Sequence, residues 1–338
     1  MSEAHRHGPE VSVVAPMYNE APVLEEFYHR CTAVMRQISS SYELVLVDDG
    51  SVDATVSIAR QLASSDPRVK VLILSRNFGK ETALTAGLDH AGGAAVIPID
   101  ADLQDPPEII PALIERWRAG YDVVYAVRTA RKGEPWLKRA TAAAFYKILS
   151  HAGEGKYVPP NTGDFRLMSR RVVDAVCSMR ERHRFMKGLF ALVGFRHTSI
   201  EYERDPRFAG ETKWSYLSLL GLSVEGLTSF TMAPLRAVTV LGLATGLVSL
   251  VYAGVIIYKT LKFGEPVAGY PSLMVVVLFI GSVQMMSVGI IGEYLGRVFN
   301  ETKQRPLYFV DEFVSEADVV SVDGQKTEAS VADDLIVR

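Results

Sequence analysis

The chain has 338 residues, 48% of them hydrophobic, and 36 Lys and Arg against 39 Asp and Glu leave a formal net charge of −3. That balance, with no long basic tract, gives no nucleic-acid signature, and the length suits one sizeable catalytic domain plus something smaller. The two cysteines, Cys31 and Cys177, lack a Cys-x-x-Cys spacing and read as reduced thiols.

From the N-terminus, residues 1–10 are polar and lack the apolar core of a secretory signal, so the domain that follows is expected in the cytosol. Strands rich in β-branched residues are predicted at Val11–Pro16, Glu43–Val47, Val69–Ser75, Ala94–Ile99 and Asp122–Val127. Helices fit between them at Ala21–Ile38, Asp53–Ala63, Glu81–His90 and Glu108–Ala119. Near-continuous apolar strands alternating with helices predict a doubly wound α/β domain around a mainly parallel sheet.

In such a sheet, ligands bind beyond the carboxyl ends of the strands. Polar residues gather there: Tyr18-Asn19-Glu20 after the first strand, Asp48-Asp49-Gly50-Ser51 after the second, Arg76-Asn77 after the third, and Arg128 after the fifth. Asp48 reads as structural, holding its turn through Ser51. Asp100-Ala101-Asp102 follows the fourth strand, and two carboxylates one residue apart form a hard-oxygen site suited to Mg²⁺ or Mn²⁺. Pro106 and Pro107 end the strand and open the next helix, which places the carboxylates on a fixed turn. An ion held there would bridge a nucleotide diphosphate and take up leaving-group charge; a solvated acidic turn is the plain alternative. No Gly-x-Gly-x-x-Gly or P-loop pattern occurs, so phosphates must be met by metal and basic side chains.

The second half carries two apolar runs, Ala237 to Tyr258 and Leu273 to Ile291, each near the roughly 20 residues that span a bilayer. They predict a hairpin of two transmembrane helices with both ends on one side. Arg236, Arg297, Lys303 and Arg305 outweigh Lys259 and Lys262, which favours cytoplasmic ends. Before the hairpin, Arg131, Lys132, Lys138, Arg139 and Lys147 alternate with Trp136, Leu137, Phe145 and Tyr146, as a helix resting on lipid headgroups would. Trp214 to Met232 forms a second amphipathic stretch. Glu293 reads either as a functional intramembrane carboxylate or as the partner of Arg297 one turn on. Gly281, Gly289, Gly292 and Gly296 would permit close helix contact.

Several motifs recur in order at the strand ends: Pro16-Met17-Tyr18-Asn19-Glu20, Val47-Asp48-Asp49-Gly50-Ser51, Arg76-Asn77-Phe78-Gly79-Lys80 and Asp100-Ala101-Asp102-Leu103-Gln104. Asn161-Thr162-Gly163-Asp164-Phe165-Arg166 and Arg207-Phe208-Ala209-Gly210-Glu211-Thr212-Lys213 follow. Together they resemble the inverting family-two glycosyltransferases of GT-A fold, in the branch of dolichol-phosphate mannose synthase and the bacterial polyprenyl-phosphate glycosyltransferases. The resemblance implies that Pro16, Tyr18, Glu20, Val47, Asp49, Lys80, Asp100, Ala101, Asp102, Arg207 and Lys213 bind the nucleotide-sugar. Asp100, Asp102 and Gln104 would hold the metal. Asp102, Asp164 and Arg128 are the candidate catalytic residues, and Asp164 either serves the acceptor or pairs with Arg166. Arg128, Arg131, Lys138 and Arg139 are candidates for the acceptor phosphate.

The domains expected are a tail (1–10), a GT-A catalytic domain (11–212), an amphipathic juxtamembrane helix (213–235), membrane helices at 236–259 and 272–297 around a loop (260–271), and a C-terminal tail (298–338). That tail is polar, with a short strand expected at 306–310 that would join a neighbouring subunit. The implied reaction is inverting transfer of glucose from UDP-glucose to polyprenyl (undecaprenyl) phosphate in the inner membrane, with Mg²⁺ or Mn²⁺ as cofactor. UDP-GlcNAc, UDP-galactose, a modified arabinose or GDP-mannose are the other donors considered. A homo-oligomer, such as a tetramer, is expected. A processive synthase would need more membrane helices and a Gln-x-x-Arg-Trp segment, and a nucleotidyltransferase leaves the hairpin unexplained. A non-catalytic scaffold or flippase partner is the reading from another class.

Overall fold

Val11, Val13, Val14 and Ala15 are all fully buried, so the first strand has no solvent face and lies inside a sheet covered on both sides. The computed structural model describes residues 8–39, 41–129, 162–182, 184, 186–203, 233–263 and 269–315. These divide between two compact units.

The first unit alternates strand and helix. In order they are β1 (Val11–Met17), α1 (Ala21–Ile38), β2 (Tyr42–Asp48), α2 (Thr55–Ser65), β3 (Val69–Leu74), α3 (Lys80–His90), β4 (Ala95–Pro98), α4 (Ile110–Arg118) and β5 (Val123–Arg128). There follow β6 (Thr162–Ser169), α5 (Arg170–Ser178), α6 (Met186–Leu192), β7 (His197–Tyr202) and, far along the chain, β8 (Val310–Val314). Their order across the sheet is β7-β5-β6-β4-β1-β2-β3-β8.

The chain runs outward from β1 through β2 to β3, then returns to place β4 on the other side of β1. The gap between β1 and β4 is therefore a topological switch point, where an open α/β sheet forms its crevice. The parallel pairings are β1 with β2 and β4, β2 with β3, and β5 with β7. β6 enters antiparallel between β4 and β5. Asp164, for which the sequence predicted no element, lies in this strand. Thr162 to Ser169 mixes Gly, Asp and Arg with apolar residues, so periodicity did not mark it.

Gly87 shows why α3 lies so close to the sheet. A Cβ there would stand 2.3 Å from Val14 Cγ1 and 2.9 Å from Val47 Cγ2. Only the missing side chain allows this approach.

The C-terminal strand differs in place and partner from its expected position. It spans Val310–Val314 and not 306–310, and it joins the chain's own sheet, antiparallel to β3. Phe309 O accepts the Ser75 N–H at 3.0 Å, and the Tyr308 hydroxyl donates to Asp89 at 2.9 Å. Glu312 pairs with Arg60.

The second unit contains α7 (Ala233–Phe263) and α8 (Tyr270–Thr302), of 31 and 33 residues. Among the described residues no helix is long and apolar enough to cross a membrane. Apolar side chains stand exposed along both, including Val240, Leu243, Leu247, Leu273, Val277 and Met285. Glu293 accepts from Arg297 at 3.1 Å, so the ion pair is the reading realised. Among the described residues, a Cβ at Gly281, Gly289, Gly292 or Gly296 would meet nothing within 4 Å.

Candidate active site

The rim begins where β2 ends. Asp48 is fully buried, and its Oδ2 accepts the Ser51 N–H at 2.9 Å, the structural role its position suggested. Ser51 Oγ accepts from Asn19 N at 2.9 Å, Asn19 Oδ1 accepts from Val52 N at 2.9 Å, and Thr55 Oγ1 accepts from Glu20 N at 2.9 Å. These bonds tie the loop after β1 to the loop after β2. Asp49 then ties in the third loop, accepting the N–H groups of Phe78 at 2.7 Å and Gly79 at 2.9 Å. Burial pushes the Asp49 carboxyl up, and the two amides oppose that rise. Gly50, at φ 71°, turns the chain where a Cβ would lie 2.6 Å from the backbone of Arg76 and Asn77.

Across the switch point, β4 delivers Asp100 and β6 delivers Asp164. Lys80, the first residue of α3, lies between them. Its Nζ is 2.7 and 2.9 Å from the two Asp100 oxygens and 2.9 Å from Asp164 Oδ2. Burial opposes the charge on Lys80, but the two carboxylates hold its ammonium well above the usual lysine range. Asp102 Oδ1 accepts the Gln104 N–H at 3.1 Å, and Leu103, buried at φ 58°, closes the turn in a left-handed conformation uncommon for leucine. Among the described residues no cluster of three or more His, Cys, Asp or Glu side chains converges as a metal site. What the turn presents is a pair of carboxylates.

The Asp164 carboxylate pairs with Lys80, and Arg166 reaches Asp164 through its backbone carbonyl. The Arg166 guanidinium is buried, donates to the backbone carbonyls of Gly163 at 2.7 Å and Asp164 at 3.2 Å, and lies over the rings of Phe190 and Tyr125. It supports the strand from behind.

Arg128, at the end of β5, meets a residue that sequence reading missed. Its Nη2 donates to Asp105 at 3.2 and 3.3 Å, and its Nε donates to the Tyr202 hydroxyl at 3.0 Å. Asp105 sits in the acidic turn after Gln104, so its carboxylate was visible in sequence. That it is buried and faces Arg128 depends on β5 and β7 folding against that turn.

The remaining candidates are spread unevenly. Tyr18 is exposed at the rim, Pro16 and Glu20 are partly buried, and Ala101 is buried beneath the acidic turn. Val47 is fully buried against α3 and offers only its backbone to a ligand. Arg131, Lys138, Arg139, Arg207 and Lys213 lie outside the described residues, as does the Trp214 to Met232 stretch.

Residues 12–177 match the Glycosyl transferase family 2 domain, and residues 233–298 match the GtrB C-terminal hairpin. An uncharacterized glycosyltransferase of Synechocystis sp. is 52% identical over 303 residues, covering 90% of this chain and 95% of the relative. The chain belongs to glycosyl transferase family 2. This family-two enzyme is a glycosyltransferase on a GT-A-like α/β sheet of mainly parallel strands. It is also 48% identical over 300 residues to an Escherichia coli prophage bactoprenol glucosyl transferase homolog, covering 89% of this chain and 98% of the relative. The bactoprenol glucosyl transferase of Shigella phage SfV is likewise 48% identical, with 89% and 97% covered.

Proposed function

We propose that this glycosyltransferase moves glucose from UDP-glucose to a polyprenyl phosphate and inverts the anomeric centre. The observation that carries the reading is the rim at the β1/β4 switch point, where Lys80 bridges Asp100 and Asp164, on a chain with bactoprenol glucosyl transferases as relatives along most of its length.

The acceptor phosphate oxygen is already anionic near neutral pH and needs no general base. It attacks C1 of the sugar, a new C1–O bond forms, and the bond from C1 to the β-phosphate oxygen of UDP breaks. The protein's contribution is then in-line positioning and compensation of charge on the departing diphosphate. Asp49 braces the loops after β2 and β3 against the nucleotide. Asp164 orients the acceptor side of the rim through its contact with Lys80. Arg128, braced by Asp105 and Tyr202, supplies a fixed cation.

Asp100 and Asp102, with Gln104 beside them, would hold Mg²⁺ or Mn²⁺. Their oxygen donors suit a hard dication, and Asp100 already attracts a cation in the form of Lys80. When bound, the ion neutralises charge on the leaving diphosphate.

The two apolar runs of the sequence, Ala237 to Tyr258 and Leu273 to Ile291, lie in α7 and α8. Ala237 to Tyr258 carries no charged residue, and the exposed side chains of both helices are largely apolar. These features support a hairpin in the cytoplasmic membrane that keeps the enzyme beside its lipid acceptor.

The test incubates membranes carrying the full chain with undecaprenyl phosphate and a panel of nucleotide sugars. UDP-glucose should give lipid-linked glucose. Preference for UDP-GlcNAc, UDP-galactose, a modified arabinose or GDP-mannose would correct the donor. Asp102→Asn should lower transfer at least a hundredfold, on the order of other losses of transition-state charge stabilisation. Near-normal turnover would overturn the metal role. A non-catalytic scaffold would show no thermal stabilisation by UDP with Mn²⁺.

A further inference from the structure

Lys80 occupies an unusual place for a cation. It is the first residue of α3, where unpaired backbone N–H groups create a positive potential that favours anions. The helix end therefore does not hold its ammonium. Two carboxylates from separate strands do: Asp100, with both oxygens within 2.9 Å, and Asp164, at 2.9 Å. The side chain as a whole is 46% exposed.

This places a positive charge on the first carboxylate of the pair that would bind a divalent ion. A dication at bonding distance would repel an ammonium 2.7 Å from the same carboxylate.

We propose that Lys80 is the resident counter-ion of the acidic rim. It holds Asp100 and Asp164 until a nucleoside diphosphate arrives, then passes to the diphosphate oxygens and releases Asp100 to the metal. Metal uptake is therefore tight with the nucleotide and weak without it. No covalent bond changes in this exchange, and the ammonium trades one anionic partner for another, so no charge is left unpaired. The inference rests on the reading of Asp100 and Asp102 as metal ligands.

The experiment titrates Mn²⁺ into the full-length protein in detergent, with and without UDP, and reads free Mn²⁺ by electron paramagnetic resonance. The wild type should bind Mn²⁺ weakly alone and more tightly with UDP. Lys80→Met keeps the length of the side chain and removes its charge; it should bind Mn²⁺ alone about tenfold more tightly, as expected for loss of one adjacent unit charge. UDP should then add less than it does in the wild type. Lys80→Arg keeps the charge and should keep the weak binding without nucleotide, and Lys80→Gln replaces the Met variant if that one does not fold. If neither neutral variant binds Mn²⁺ alone more tightly than the wild type, the counter-ion role is overturned while UDP-dependent uptake in the wild type leaves the metal ligands standing. If the wild type takes up no Mn²⁺ even with UDP, the ligand assignment fails and the counter-ion role fails with it.

Discussion

Arg128 and Asp105 form a closed network with Tyr202. Arg128 donates to both carboxylate oxygens of Asp105 and to the Tyr202 hydroxyl, and that hydroxyl donates back to Asp105. Asp105 is only 1% exposed, and these donors satisfy its buried carboxylate oxygens. Arg128 reaches the rim on a fixed arm.

Replacing Asp105 by Asn should leave the Arg128 guanidinium without its charge partner. We expect a loss of about 3 kcal/mol in urea unfolding, in the range for breaking a buried pair, together with a marked drop in transfer. Tyr202→Phe removes one hydrogen bond and should cost about 1 kcal/mol. Equal small effects from both would show that the pair carries little.

Gly163 provides a test of Arg128 position with less disturbance of the core. A Cβ there would lie 2.5 Å from Arg128 Nη2. Gly163→Ala should displace the guanidinium, reducing kcat more than it raises the donor KM. The unfolding midpoint should stay within about 1 kcal/mol of wild type, because the displaced atom is the end of a long side chain. Unchanged kcat would remove Arg128 from the working site.

Asp49 braces two amides and should act on the donor. Asp49→Ala leaves the Phe78 and Gly79 N–H groups without their carboxylate. The loop after β3 should loosen, and affinity for UDP, measured by calorimetry, should fall about tenfold or more. Wild-type affinity would show that the brace does not serve the nucleotide.

Asp122 should set part of the acid limit of stability. Its hydrogen bonds from Arg171 lower its carboxyl below the ordinary Asp value of 3.8, against the cost of burial. A depressed folded value means that the stabilisation is fully present above pH 3.8 and is lost as the pH falls below it through the folded value. Thermal midpoints recorded from pH 5 down to pH 3 should fall for the wild type. For Asp122→Asn they should start lower and fall less. Parallel curves would assign the acid limit elsewhere.

Much of this enzyme was legible in residue order because the signals were local. Apolar alternation with helical spacing placed β1 to β5 and α1 to α4 to within a few residues, and α1 at Ala21–Ile38 without error. The acidic turn after β4 was visible for the same reason, since its carboxylates and prolines are neighbours in sequence.

Long-range pairing was not local, and the fold alone decided it. Lys80 meets an aspartate 84 positions away, β6 inserts antiparallel between two strands that precede it, and β8 returns past the hairpin to cover β3. Each of these brings together groups with no sequence periodicity in common. Burial and charge compensation select them once the sheet has assembled, which is why the composition of the rim could be read from the chain and its ion pairs could not.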